Sequence, residues 1–251
     1  MLADYEFPVE LRAISTEPDG FVIPHRRAVI RTDTMKPLGV VSDKYALLPH
    51  AAVVDTMRET LKGQDTKETI RLTHNGARMH FEITLPDVTF KVEGDEIAMR
   101  LVVANSYDGS RKVHIAFGAY RLICANGMTI GSKLVSLNRR HVGEVSLEVE
   151  HIRKQMTTLT ALFKATEPTI RKMVNRPLWH PKPFFNAKSL RIPGYLVKIA
   201  RDQFKQVEDG TIWDAYNALT FAITHKMRKA NPELATRLGK NAWAAASAAI
   251  K

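Results

Sequence analysis

The spacing of apolar positions changes about half-way along the chain, from strand-like to helix-like. The segments "FVIPHRRAVIRTD" and "KPLGVVSDKYALLP" are short β-prone runs punctuated by Pro and Gly. From His50 to Lys62 the spacing turns helical, with Val53, Val54, Met57 and Leu61 on one face and Gly63 as the stop. Next comes "ETIRLTHNGARMHFEITLPDVTFKV", in which Asn75-Gly76 predicts a two-residue hairpin turn. Its second arm alternates Met79, Phe81, Ile83 and Leu85 with Arg78, His80, Glu82 and Thr84, the pattern of a half-buried strand. "EIAMRLVVA" leads to a second predicted turn at Asp108-Gly109. Beyond it, Val113, Ile115, Phe117, Ala119 and Ile123 share one face, and the other face is almost as apolar. That predicts an interior strand covered on both sides.

After residue 146 the period is three to four. Val149, Ile152, Met156, Leu159 and Phe163 form the stripe of a long amphipathic helix. Pro168 kinks it or opens a new helix with Thr166 as cap. Three prolines in 175–186 predict a loop, followed by helices over 189–207 and 211–229, the latter with Ile212, Tyr216, Leu219, Ile223 and Met227 as its stripe. Asn231-Pro232-Glu233 is a good start for an Ala-rich C-terminal helix. No repeat or low-complexity linker is present. The expectation is one α+β domain over 1–251, with an antiparallel β-rich core at about 20–142 and a helical region at about 146–251.

Composition limits the function classes. With 251 residues, 45% hydrophobic and 25% charged, the chain reads as an ordinary globular protein. No apolar run approaches the roughly 20 residues that span a bilayer, and the first residues lack a basic-then-apolar signal pattern. No membrane partner and a cytoplasmic location are therefore expected. The single cysteine leaves no internal disulfide and no Cys-rich zinc site. Charge is unevenly spread. Residues 1–110 hold 13 Lys and Arg against 17 Asp and Glu, a net of −4. Residues 111–176 hold 12 against 4, and 177–251 hold 12 against 5, or +8 and +7. Such division points to a polyanionic partner.

Motifs for nucleotide chemistry are missing: there is no Gly-x-x-x-x-Gly-Lys-Ser/Thr loop, no Gly-x-Gly-x-x-Gly and no Gly-x-Ser-x-Gly elbow. The nine histidines are scattered without metal-ligand spacing, so no cofactor or metal is expected. Cys124 ends an apolar strand and reads as core rather than nucleophile. Asp65-Thr66-Lys67 and Pro86-Asp87 are only fragments of a nuclease pattern. Cations tell more. Arg111, Lys112, Arg121, Lys133, Arg139 and Arg140 lie in or just after the strand that begins at Asp108-Gly109, and Lys154 extends the set onto the following helix. Lys and Arg hold phosphate oxygens. Tyr107 at the turn, and Trp179, Phe184 and Phe185 in the Pro-rich loop, are the candidates for stacking on bases.

Three stretches carry a resemblance: "VVSDKYALLPHAAVVDTM", "ANSYDGSRKVHIAFGAYRLICANGM" and "TIWDAYNALTFAITH". They resemble the phage and plasmid family known as domain of unknown function 932. The middle stretch is the most specific, through Asn105, Ser106, Asp108, Gly109, Arg121, Cys124 and Asn126, and the last adds Asn217-Ala218. The resemblance implies a mobile-element setting, hence host cytoplasm if phage-encoded. ATP-independent DNA-handling proteins are common there, single-strand annealing proteins among them. Those share an outline with this chain: β-rich core, added helices, basic groove and oligomeric ring. The expected function is single-stranded DNA binding, with annealing in recombination or replication as its finer form and a homo-oligomer as the assembly. A metal-dependent nuclease and a host-interaction or anti-defence protein with an acidic partner are the alternatives.

Overall fold

The computed structural model describes residues 3–92, 94–121, 126–128, 136–143, 147–227 and 232–251. Strands fill the first half and helices the second, so the class is α+β. Three strands, β1 (Val9–Ser15), β2 (Val22–Arg31) and β3 (Lys36–Ser42), form an antiparallel sheet in that order. After helix α1 (His50–Thr60) come β4 (Lys67–Thr73), β5 (Arg78–Val92), β6 (Asp95–Ser106), β7 (Val113–Arg121), β8 (Asn126–Met128) and β9 (Ser136–Arg139). They make a six-stranded sheet in the order β4-β5-β6-β7-β8, with β9 also pairing β7. The helices follow: α2 (Val149–Lys164), α3 (Glu167–Val174), α4 (Pro181–Phe184), α5 (Ala187–Leu190), α6 (Gly194–Phe204), α7 (Ile212–Lys226) and α8 (Pro232–Ala249). Among the described residues no helix is long and apolar enough to cross a membrane.

Chain contacts divide the molecule into two units, each with its own interior. Unit 1 comprises Met1–Ile83, Leu101–Ala116 and Ser136–Thr157; unit 2 comprises Thr84–Arg100, Phe117–Val135 and Thr158–Lys251. In unit 1 the buried cluster is Phe7, Val29, Leu38, Val41, Tyr45, Ala77 and Tyr107, with Val9 and Leu11 packed against it. In unit 2, α7 packs on α3, α6, α8 and β8. It is covered on nearly every side, burying Trp213, Asn217, Ala218 and Thr220 beyond the stripe of Ile212, Tyr216, Leu219 and Ile223. Thr211 and Asp214 close a capping box at its start, the Asp214 N–H donating to Thr211 Oγ1 at 3.2 Å.

Several elements differ from the sequence-based expectation, each for a local reason. Strand β1 precedes residue 20, where its alternation is blurred by Glu10 and Arg12. The Asn75-Gly76 turn is a short 3-10 segment, His74–Gly76, with His74 and Asn75 both at positive φ. The Pro-rich segment contains the single turn α4, because Pro181 is tolerated at a helix start. The helix expected over 189–207 is broken in two, since Arg191 is left-handed (φ 52°) and Pro193 has no N–H to offer. Thr166 does sit at the N-cap of α3, but its hydroxyl donates to Phe163 O at 2.6 Å instead of capping.

Close approach of backbone fixes one glycine. A Cβ added to Gly39 of β3 would lie 2.5 Å from the Asp108 Cα and 3.2 Å from the Tyr107 carbonyl oxygen. Neither backbone can yield cheaply. Gly39→Ala is expected to destabilise unit 1 by about 1–3 kcal/mol through overpacking, measured as a lower urea midpoint with an unchanged m-value.

Candidate functional site

The turn between β6 and β7 is tied to distant parts of unit 1 through Asn105, Ser106, Tyr107 and Asp108. Asn105 Nδ2 donates to Leu48 O (2.9 Å) and to His50 Nδ1 (3.0 Å). The other ring nitrogen, Nε2, donates to Gly76 O at 3.0 Å. The imidazole is thereby held in its neutral Nε2–H tautomer. Burial of the ring pushes its pKa down to about 4. Ser106 O accepts from Tyr45 Oη at 2.6 Å, while Ser106 Oγ accepts from the Arg111 N–H at 3.1 Å. Tyr107 donates its N–H to Ala77 O (2.7 Å), and its hydroxyl oxygen accepts the His50 N–H at 2.6 Å. That N–H opens α1, which has no side-chain cap of its own, so Tyr107 does the capping from 57 residues away. Its ring stacks on His50 at 4.0 Å, and Phe7 meets both rings edge-on.

Asp108 completes the clamp. It accepts from Arg78 Nε at 2.6 Å and from the Ser110 N–H at 3.0 Å. Burial opposes its charge, but these bonds from Ser110 and Arg78 outweigh it and hold the pKa below the usual carboxylate range. Gly109 takes φ +69° against the side chain of Val41. On the far side, His141 stacks on Tyr45 (4.7 Å) and bonds Ala46 O through Nδ1 at 3.0 Å. Beside Phe7 lies a cleft of about 550 Å³, lined by Arg31, Asp33, Leu72, Asn75 and Gly76 among others. Arg31 stacks over Phe7 at 4.1 Å and is paired with Asp33 at 2.7 Å.

The clamp decides where the expected phosphate-binding residues go. β7 and β9 pair antiparallel, with Val113 opposite Arg139 and His114 opposite Asn138. One step further in this register stand Lys112 and Arg140. Two dibasic pairs far apart in sequence thus become neighbours on one edge, and Lys112, Arg139 and Arg140 are exposed. Arg111 is half-buried, and desolvation aided by nearby Arg78 pushes its pKa down to about 10, so it remains charged at neutral pH. The structure adds cations from the acidic part of the chain: Arg26 and Arg27 of β2, paired with Ser42 and Val41 of β3, and Lys44, all exposed. Val41 is the residue that packs on Gly109, so β2 and β3 bring Arg27 to the same side as the turn. Asp43, bonded to His25 at 3.0 Å, lies among them.

Other expected residues fall outside the cluster. Tyr107 is fully buried, which corrects its assignment as a base-stacking ring. Lys154 is exposed on α2 next to Arg153, whose guanidinium donates to Glu59 O at 2.9 Å near the end of α1, about 15 Å of helix away from His50. Arg121 ends β7 in unit 2, paired through its backbone with Asn126; its side chain is outside the described residues, as are Lys133 and Cys124. In unit 2 Trp179 is 74% exposed, whereas Phe185 is buried against Phe204. Buried His80 lies 3.0 Å from Glu82, with Arg71 at 3.7 Å from the same carboxylate. Among the described residues no three His, Cys, Asp or Glu side chains gather where a metal ion could sit.

The model of one family, described as Domain of unknown function (DUF932), matches residues 37–244. The chain belongs to that family. The match spans α1, the clamped turn, the β7–β9 pair and most of α8, and leaves β1 and β2 outside. No curated protein and no solved structure matches the chain. In this DUF932 protein Asn105, Ser106, Asp108 and Gly109, four of the residues that carried the resemblance, build the clamp, while Asn217 and Ala218 are buried in α7.

Two outcomes follow from the clamp. Tyr107→Phe removes the acceptor of a buried helix N–H and is expected to cost about 1–3 kcal/mol in chemical denaturation. His50 is lowered from 6.5 to about 4 on folding, so the folded state resists protonation that the unfolded state accepts. Its contribution is complete above pH 6.5 and is lost as pH falls toward 4. Thermal melts across that window should show a decline that His50→Gln reduces, with His141, also lowered by burial, and the lowered carboxylate of Asp108 contributing to the rest.

Proposed function

We propose that this protein binds single-stranded DNA through the cationic edge of unit 1, and that annealing of complementary strands without ATP is the activity this binding serves. The observation that carries the reading is the β7–β9 register, which sets Arg111-Lys112 beside Arg139-Arg140 on an exposed edge. Isolated surface cations are ordinary solvated side chains, but cations gathered on paired strands can contact several phosphates at once. Arg27, paired with the Val41 that packs on Gly109, adds a further cation of unit 1. The expected phage-type setting in the host cytoplasm, and assembly into a homo-oligomer, belong to the same proposal. Neither a nucleotide nor a metal enters the binding step.

Titration of a labelled oligo-dT strand and of a duplex at several salt concentrations tests it. Each single-strand phosphate contact contributes about 0.7 to the log–log salt slope. The Lys112→Ala/Arg139→Ala/Arg140→Ala variant should therefore lower that slope by about 2 and weaken binding at every salt concentration. Absence of binding at low salt, or a slope that the triple variant leaves unchanged, would overturn the proposal. Loss of intact DNA on adding Mg²⁺ would turn the assignment toward a nuclease. Mixing complementary strands without ATP then reads annealing separately from coating.

A further inference from the structure

The three-stranded sheet of unit 1 ends on β1, and among the described residues no strand lies on its outer side. The Thr32 N–H donates to Pro8 O at 3.1 Å, in register with the pairs that run from Val9–Arg31 to Ala13–Arg27. In an antiparallel ladder bonded pairs alternate with unbonded ones, so the N–H and C=O of Glu10 and Arg12 turn toward β2. Those of Val9, Leu11 and Ala13 turn outward. Among the described residues no other backbone group bonds these three, and no residue of β1 is buried. The run Val9–Ala13 is regular and free of proline, and the bulge comes only after it, between Ala13 and Ser15. An unpaired edge of this kind is a template for one more strand. Val9 and Leu11 pack toward the core cluster. Glu10 and Arg12 stand on the opposite face, bonded to each other, with side chains 44% and 47% exposed.

We propose that the strand completing this edge is β1 of a second copy, antiparallel and centred on Leu11, so that two three-stranded sheets become one of six strands. The inference rests on the homo-oligomer of the reading above, to which it gives an interface, and not on DNA binding. A two-fold axis normal to the sheet continues each face of one copy into the same face of the other. Residues directly opposite then share a face, so the axis falls on a residue and not between two. Charge decides which residue. An axis at Glu10 would set two carboxylates opposite each other, and one at Arg12 two guanidinium groups. At Leu11, Glu10 of each copy stands opposite Arg12 of the other. Opposite charges across a strand pair attract and like charges repel. The same axis sets Leu11 opposite Leu11 of the second copy and Val9 opposite its Ala13. These are the residues whose backbone groups point outward, so all three rungs close as bonded pairs. A second copy is favoured over an unrelated peptide because β1 contains its own complement. Five paired residues per copy fall at the small end of specific interfaces, below about 1,200 Å², so the association is a micromolar one.

Sedimentation equilibrium of the full chain without DNA tests this, comparing wild type, Glu10→Arg, Arg12→Glu and the double swap Glu10→Arg/Arg12→Glu. Wild type should show a concentration-dependent monomer–dimer equilibrium. Each single variant turns two attractive pairs into repulsive ones and should raise the dissociation constant on the order of tenfold. The double swap should restore it. An equimolar mixture of the two single variants should restore it as well, because each then meets its complement, and that recovery also shows both variants to be folded. A wild type that stays monomeric at its highest soluble concentration overturns the interface and leaves the DNA-binding edge standing. Association that the single variants leave unchanged, or that neither the swap nor the mixture recovers, puts the contact between copies elsewhere and overturns the proposal.

Discussion

A single hydroxyl, that of Tyr107, closes unit 1. A helix start leaves its first N–H groups without partners, and inside a protein each such group is expensive. Helix α1 opens on Pro49-His50 with no side chain of its own to cap it. Tyr107 supplies the missing acceptor, and its ring lies on the His50 imidazole. That imidazole in turn is fixed by Asn105 and by Gly76 O. The β6–β7 turn, the start of α1 and the β4–β5 turn therefore share one set of bonds, and none can relax alone. Every lone pair or proton of the His50 ring is used, which makes the neutral form the only one that fits.

The same set explains how cations can be crowded at an edge. Arg111, Lys112, Arg139 and Arg140 repel one another, and a flexible loop would let them drift apart. Ser106 Oγ ties down the Arg111 backbone, Asp108 accepts Arg78 and the Ser110 N–H, and Gly39 lets β3 close on Asp108. The Asp108 carboxylate offsets part of the positive potential next to Arg111, while burial keeps Arg111 half-desolvated. Rigid presentation of like charges is what distinguishes this edge from the remaining surface lysines.

The fold class and most elements were legible because period-two and period-3.6 patterns are written by burial, which sequence shows directly. Val53, Val54, Met57 and Leu61 lie where their spacing placed them, but the strand read as half-buried at Met79 to Leu85 is covered on both faces, since His80, Glu82 and Thr84 are buried as well. The site was legible only in part. Both dibasic pairs could be named, but their adjacency depends on strand register, which follows from bonds between residues tens of positions apart. Tyr107 was misread because a Tyr at an Asp-Gly turn looks exposed; only the three-dimensional partner, the His50 N–H, shows why it is inside. The exposure of Phe21 was hidden for the opposite reason: within "FVIPHRR" it looks like core, and nothing local says that β2 runs beyond the buried cluster.

One step past the pairing of Val113 with Arg139, where Lys112 faces Arg140, the register has a thermodynamic corollary. Bringing like charges opposite each other makes the β7–β9 contact weaker than its hydrogen bonds alone would allow, and the deficit is electrostatic. Whatever neutralises the edge returns that free energy to the sheet. Occupancy of the surface and cohesion of these strands are thus two measures of one quantity. A multivalent anion at this edge would tighten the two strands, and dilution of screening salt loosens them.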